Sequence, residues 1–266
     1  MPERAIGVFD SGVGGLTVLK ELRRQIPGEK LIYLGDTARV PYGTKSATTV
    51  LRYAHEAARF LLEQKVKLLV VACNTASAVA LEGLAEAYQV PVVGVIEPGA
   101  RRAIEVSVNG RIGVVGTEGT IRSGAYERAL RRERADVVVH TAACPLFVPL
   151  AEEGWAGHEV ARLTAREYLA PLLAEGIDTL VLGCTHYPLI KPMLQEIVGP
   201  QVRLVDSAQE TAKAVAAQLK THRLQGQGQP VSTPRYFVTD IPDRFERVGG
   251  AFLGEPLQGV TTVSLD

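Results

Sequence analysis

Two cysteines stand in matching surroundings. Cys73 lies in Leu69-Val70-Val71-Ala72-Cys73-Asn74-Thr75, and Cys184 in Leu180-Val181-Leu182-Gly183-Cys184-Thr185-His186. In each, an apolar run of strand length ends at the thiol, and small polar residues of the kind that open helices follow. Removing a proton from one face of a carbon and returning one to the other face needs two groups. One base does not reach both faces, whereas two groups that exchange acid and base roles do. A thiol at a helix N-terminus feels a partial positive charge that favours thiolate. A lone strand-end cysteine is more often a buried small hydrophobe; an equivalent pair weighs for chemistry. Cys144, in Ala142-Ala143-Cys144-Pro145, has no counterpart and reads as structural.

Three scattered cysteines are not a disulfide framework, and neither CxxC nor HxxxH spacing occurs, so no metal site is expected. Two-thiol chemistry needs no bound cofactor either. Around the thiols, Asp10-Ser11-Gly12-Val13-Gly14-Gly15 follows a strand and opens a helix, where backbone N–H groups bind carboxylate or phosphate. Gly12 and Gly14 match half of a dinucleotide fingerprint, and Asp36 lies near its acidic position. The third glycine is replaced by Thr17, which leaves that signal weak. Asp10 is either a helix cap or a charged helper to a thiol. His186, two residues from Cys184, either carries a proton or bonds at a helix start. Glu152 and Glu153 precede Gly154 as a solvated helix end would. Pro41-Tyr42-Gly43 is a turn that could hang the Tyr42 hydroxyl over a site.

The elements that must position these residues alternate. Strands are expected at 5–9, 30–34, 68–72 and 91–95, with helices at 16–25, 48–64 and 75–88 between them. The pattern then restarts, with strands at 111–115, 137–140, 179–182 and 203–205. Helices are expected at 120–131, within 157–173, at 188–198 and at 209–219. Strands near 235–239 and 260–265 follow an exposed loop at 225–234. Continuous apolar strands separated by helices mean parallel sheets and an α/β fold. Ile6-Gly7-Val8 resembles Ile112-Gly113-Val114 at nearly the spacing that separates the two cysteine segments. Two related lobes, each giving one thiol to a shared cleft, account for that repeat.

With these motifs assembled, the chain resembles the glutamate racemases of the aspartate/glutamate racemase family. The likeness rests on Asp10–Thr17, on Asp36 with Pro41-Tyr42-Gly43, on Ala72–Ala76, on Gly183–Pro188 and on Asp206-Ser207. It implies two pseudo-symmetric, doubly wound α/β domains with the active site between them. The first would be discontinuous, 1–96 with 208–266, and the second 97–207. It implies that Cys73 takes the α-proton from D-glutamate and Cys184 from L-glutamate. Asp10 would assist the first, and His186 the second, with Glu152 behind His186. Substrate would meet Ser11, Tyr42, Gly43, Asn74, Thr75, Thr185 and His186 besides Asp10 and the thiols, with Thr117 and Thr120 nearby. The family implies a cytoplasmic enzyme without cofactor, often a homodimer, that supplies D-glutamate for peptidoglycan.

A racemase for aspartate or a hydantoin would share the thiols and differ in the pocket. A cysteine hydrolase using Cys184 and His186 would leave Cys73 without a role. A non-catalytic amino-acid binding protein would bind without α-proton exchange. Composition narrows the field. Lys+Arg and Asp+Glu each number 29 in 266 residues, so nothing advertises a nucleic-acid or membrane surface. Neither a signal peptide nor an apolar run of membrane length is read, and a cytoplasmic protein is expected.

Overall fold

A computed structural model describes residues 3–226 and 233–265. The first run of elements is β1 (Ile6–Asp10), α1 (Leu16–Gln25), β2 (Leu31–Gly35), α2 (Ala47–Glu63), β3 (Leu68–Val71), α3 (Asn74–Ala87) and β4 (Val92–Gly94). Helix α4 (Ile96–Val106) leads into a second run. This comprises β5 (Arg111–Gly116), α5 (Glu118–Arg122), α6 (Ala125–Glu133), β6 (Val138–Ala143), α7 (Phe147–Glu152), α8 (Glu159–Ala174), β7 (Thr179–Gly183), α9 (Lys191–Val198) and β8 (Arg203–Asp206). Helix α10 (Ser207–Thr221) carries the chain back to β9 (Arg235–Val238), α11 (Pro242–Leu253) and β10 (Val260–Thr262).

The strands form two sheets, in the orders β10-β9-β2-β1-β3-β4 and β6-β5-β7-β8. Every pairing is parallel. The order β2-β1-β3-β4 is therefore repeated as β6-β5-β7-β8, and the internal sequence repeat is a repeat of topology. Two doubly wound α/β units result, the first extended at its β2 edge by the last two strands.

Strand residues alternate between two cores, as the period of two requires. Ile6, Val8, Leu68 and Val70 of the first sheet share a core with Ile112, Val114 and Val181 of the second. Helices α1, α4, α6, α10 and α11 fill that shared layer with Leu19, Ala100, Leu130, Val215 and Phe252. On the outer faces, Phe9, Leu69 and Val71 pack with α2 and α3, and Leu180 and Leu182 pack with α7, α8 and α9. One inner layer thus holds both sheets in a fixed relation. No described helix is long and apolar enough to cross a membrane.

Several local expectations need correction. The helix expected at 120–131 is two helices, because Gly124 between α5 and α6 has φ +64°, a left-handed conformation in which glycine is unstrained. The stretch expected as one helix at 188–198 begins as a 3-10 turn, Tyr187–Ile190, before α9. Helices α4, α7 and α11 were not expected. In α4, Pro98 falls in the first helical turn, where its missing N–H breaks no intrahelical bond. Of the loop expected at 225–234, positions 227–232 lie outside the described residues.

Leu182 is fully buried on β7, directly before the second thiol segment. Leu182→Ala is expected to lower stability by ~2–5 kcal/mol, read from the urea midpoint at unchanged slope.

Candidate active site

In a β2-β1-β3-β4 sheet the connections leave in opposite directions between β1 and β3. The crevice beyond their carboxyl ends is the natural ligand site. Asp10 ends β1, and Cys73 follows β3 as the N-cap of α3. In the second sheet the equivalent crevice lies beyond β5 and β7. Thr117 follows β5 as the N-cap of α5, and Cys184 follows β7. The two crevices meet in one buried polar cluster.

Side chains from the two sheets are bonded across it. The Thr75 hydroxyl lies 2.9 Å from that of Thr117 and 3.1 Å from that of Thr120. The Thr185 hydroxyl donates to Asp10 at 3.4 Å, and Thr17 donates to the Thr185 carbonyl at 3.1 Å. The Tyr126 hydroxyl donates to Asn74 Oδ1 at 2.7 Å. Gly14 packs so closely against Thr185 and His186 that any Cβ there would overlap both side chains. Gly43 lies against Thr117 in the same way. The dinucleotide reading of the loop falls on this contact, because the space beside Gly14 is filled by protein.

Around the thiols the geometry is specific. Cys73 Sγ lies 3.7 Å from Ser11 Oγ. Cys184 Sγ lies 3.8 Å from His186 Nδ1, and His186 Nε2 lies 2.9 Å from Glu152 Oε1. Asp10 is not the cap of α1, which is Gly15. Its carboxylate instead accepts from the Gly12 N–H at 3.0 Å. Asn74 and Thr75 are the first helical residues rather than caps, and their side chains face the cluster. Glu152 is no solvated helix end, since both its oxygens are engaged, by His186 and by Arg244. The Tyr42 hydroxyl does not hang free but donates to the buried Asp36.

Ionisation follows burial, which is nearly complete for Asp10, Cys73 and His186. Desolvation pushes Asp10 above the usual carboxylate range, against the His186 charge and the Gly12 and Gly15 N–H groups. Burial, followed by the charge of Asp10, pushes the Cys73 thiol up to about 12. The Ala76 N–H and the Ser11 hydroxyl oppose that rise and lose. At Cys73 the pull of a helix start towards thiolate is outweighed by desolvation. Cys184 precedes a 3-10 turn and is not at an α-helix N-terminus. Burial opposes the His186 cation, but hydrogen bonds to Cys184 and Glu152 prevail and raise the imidazole to about 10. Burial likewise opposes the Glu152 carboxylate, which His186 and then Arg244 hold below its usual range.

The comparisons with known proteins decide the family. The Asp/Glu/Hydantoin racemase profile matches residues 6–215. This chain belongs to that family. A glutamate racemase from Geobacter metallireducens is 60% identical over 266 residues, covering 100% of this chain and 98% of that protein. Among solved structures, a glutamate racemase isoform from Bacillus anthracis superposes with TM-score 0.96 at 41% identity, covering 100% of this chain and 99% of that one. A Francisella tularensis glutamate racemase solved with D-glutamate gives TM-score 0.92 at 39% identity, with the same coverage. The chain is an amino-acid racemase, an isomerase, with the sequence and two-domain α/β fold of the glutamate racemases.

Sequence reasoning missed Tyr126, Arg244 and Phe252 among the residues gathered here. Tyr126 fixes the Asn74 amide, Arg244 binds Glu152, and the Phe252 ring meets His186 edge-on at 5.3 Å. No motif carries them, since each reaches the cluster from a distant part of the chain.

Two measurements check these assignments. His186 has a raised pKa when folded. Its contribution to stability is complete below about 6.5 and is lost as pH rises towards about 10. Glu152→Gln removes part of that shift, so the variant is expected to lose less stability than wild type between those values in urea titrations. Cys73, holding its proton, is expected to react with iodoacetamide at neutral pH more slowly than the same cysteine in urea, as read by peptide mass spectrometry.

Proposed function

We propose that this racemase interconverts L- and D-glutamate by a two-base mechanism, with Cys73 and Cys184 serving opposite faces of the α-carbon and no cofactor taking part. The observation that supports it is that the two thiols follow equivalent strands, β3 and β7, of two sheets with the same order, and border one buried cluster. The glutamate preference draws on the relatives, whose names specify glutamate.

With L-glutamate, the Cys184 sulfur takes the α-proton, and the electron pair left on carbon spreads into the α-carboxylate. Cys73 delivers its proton to the other face, which yields D-glutamate. The reaction leaves Cys184 as thiol and Cys73 as thiolate, the state from which D-glutamate is turned over. The resting Cys73, protonated by virtue of its burial, is set to donate. His186 relays charge beside Cys184 and is held by Glu152, while Asp10 assists on the Cys73 side. Asn74 Nδ2 is buried without a hydrogen-bond partner. An unmet donor of this kind costs about 1–3 kcal/mol and suits a substrate carboxylate. The hydroxyls of Ser11, Thr75, Thr117, Thr120 and Thr185, with the Tyr42-Gly43 turn, complete the substrate contacts.

The same reading takes residues 1–96 with 208–266 as one domain and 97–207 as the other. It takes the protein as a cytoplasmic homodimer that supplies D-glutamate for peptidoglycan.

Loss of optical rotation from L-glutamate alone, followed by circular dichroism without added cofactor, tests the reaction. Loss from L-aspartate instead would move the specificity and keep the chemistry. Cys73→Ala and Cys184→Ala are each expected to lower racemisation by about 10²–10⁴-fold or more, with the far-ultraviolet spectrum unchanged. Near-normal racemisation by either variant would sink the two-base mechanism.

A further inference from the structure

Glu152 has two oxygens and a cationic neighbour for each. Oε1 meets His186 Nε2, and Oε2 accepts from Arg244 Nη2 at 3.1 Å. The other nitrogen of His186 meets Cys184 Sγ. A connected chain, Arg244–Glu152–His186–Cys184, therefore runs from a half-exposed guanidinium to a buried thiol. Its members come from both halves of the molecule. Glu152 ends α7, and His186 and Cys184 follow β7, whereas Arg244 lies on α11, beside the first sheet. Helix α11 touches the same imidazole a second time through Phe252.

We infer that Arg244 is a positioning residue for the racemisation proposed above, holding one oxygen of Glu152 so that the other meets His186. The inference rests on that reading of the site. The groups facing His186 are Cys184 on its own segment, Glu152 from α7, Asp10 from β1 and the uncharged Phe252 ring from α11. Those facing Glu152 are His186 and Arg244. Burial favours the neutral carboxyl at Glu152, and the two cations overcome it. Without Arg244, one oxygen is left with no partner but solvent, and the carboxylate takes up a proton at a higher pH. Once protonated, it no longer orients an imidazolium. The effect is one-sided. On the alkaline side, removing a positive charge near His186 does nothing to weaken the His186 cation.

The test compares wild type, Arg244→Ala and Arg244→Lys by kcat/KM for both enantiomers from about pH 3.5 to 9, at low and high salt. The two enantiomers have equal free energy, so kcat/KM must change equally in both directions. Arg244→Ala is expected to lose roughly two- to fivefold on the acidic side, as suits a half-exposed ion pair, with the acidic limb displaced to higher pH. Little change is expected on the alkaline side. Arg244→Lys should restore the limb, because the bond to Oε2 is single and an ammonium can make it. High salt should narrow the difference between Arg244→Ala and wild type. An unmoved acidic limb in Arg244→Ala overturns the inference. So does a uniform loss at every pH that lysine does not restore, since that marks a merely structural role. A wild-type enzyme that fails to racemise glutamate takes down the reading of the site and this inference together. A racemising wild type matched by Arg244→Ala takes down this inference alone.

Discussion

Desolvation is the largest influence on ionisation at Asp10, Cys73 and His186 alike, and the rest of the site is arranged around it. Each group withdrawn from water either keeps its neutral form or has a dedicated partner. Cys73 keeps its proton. His186 stays cationic because a sulfur and a carboxylate flank it, and Glu152 keeps its charge because it has two cations of its own. The threonine hydroxyls satisfy one another across the cleft. Asn74 Nδ2 is the group this arrangement leaves unmet, at the point where the chemistry wants a ligand.

Holding such a cluster closed requires the two sheets to keep a fixed relation. The shared inner layer does this through apolar packing, and the polar bonds across the cluster add to it. Equal strand orders then bring the ends of β1 and β3 to the same cleft as those of β5 and β7. The pseudo-symmetry is carried by backbone topology and the paired thiols, and not by the side chains around them. Around Cys73 stand Ser11 and Asp10, and around Cys184 a histidine and a glutamate. Two chemically unlike settings on a repeated frame suit two proton acceptors that approach one carbon from opposite sides.

Much of this was legible in the sequence. The central strands bury both faces, so Leu68–Val71 and Thr179–Gly183 show as continuous apolar runs. Glycines and capping residues at their ends mark the site loops. Helix α11 was not legible because Gly249 and Gly250 lie inside it and read as breakers, although its apolar face packs against the core. Tyr126 and Arg244 were hidden for another reason. Their partners lie 52 and 92 residues away, and pairing over such distances leaves no local period. The protonation of Cys73 was not legible, because position at a helix start can be seen in the sequence and depth below the surface cannot.

The return of the chain through α10 to the first sheet has a consequence for synthesis. Chains fold largely from the N-terminus as they are made. When Cys184 and His186 have left the ribosome, strands β9 and β10 and helix α11 have not, so β2 is still an open edge and Phe252 does not yet cover the imidazole. A nascent chain at that stage lacks the strands and the aromatic ring that the later segment adds. The last cover over the imidazole beside Cys184 is supplied only by the segment translated afterwards.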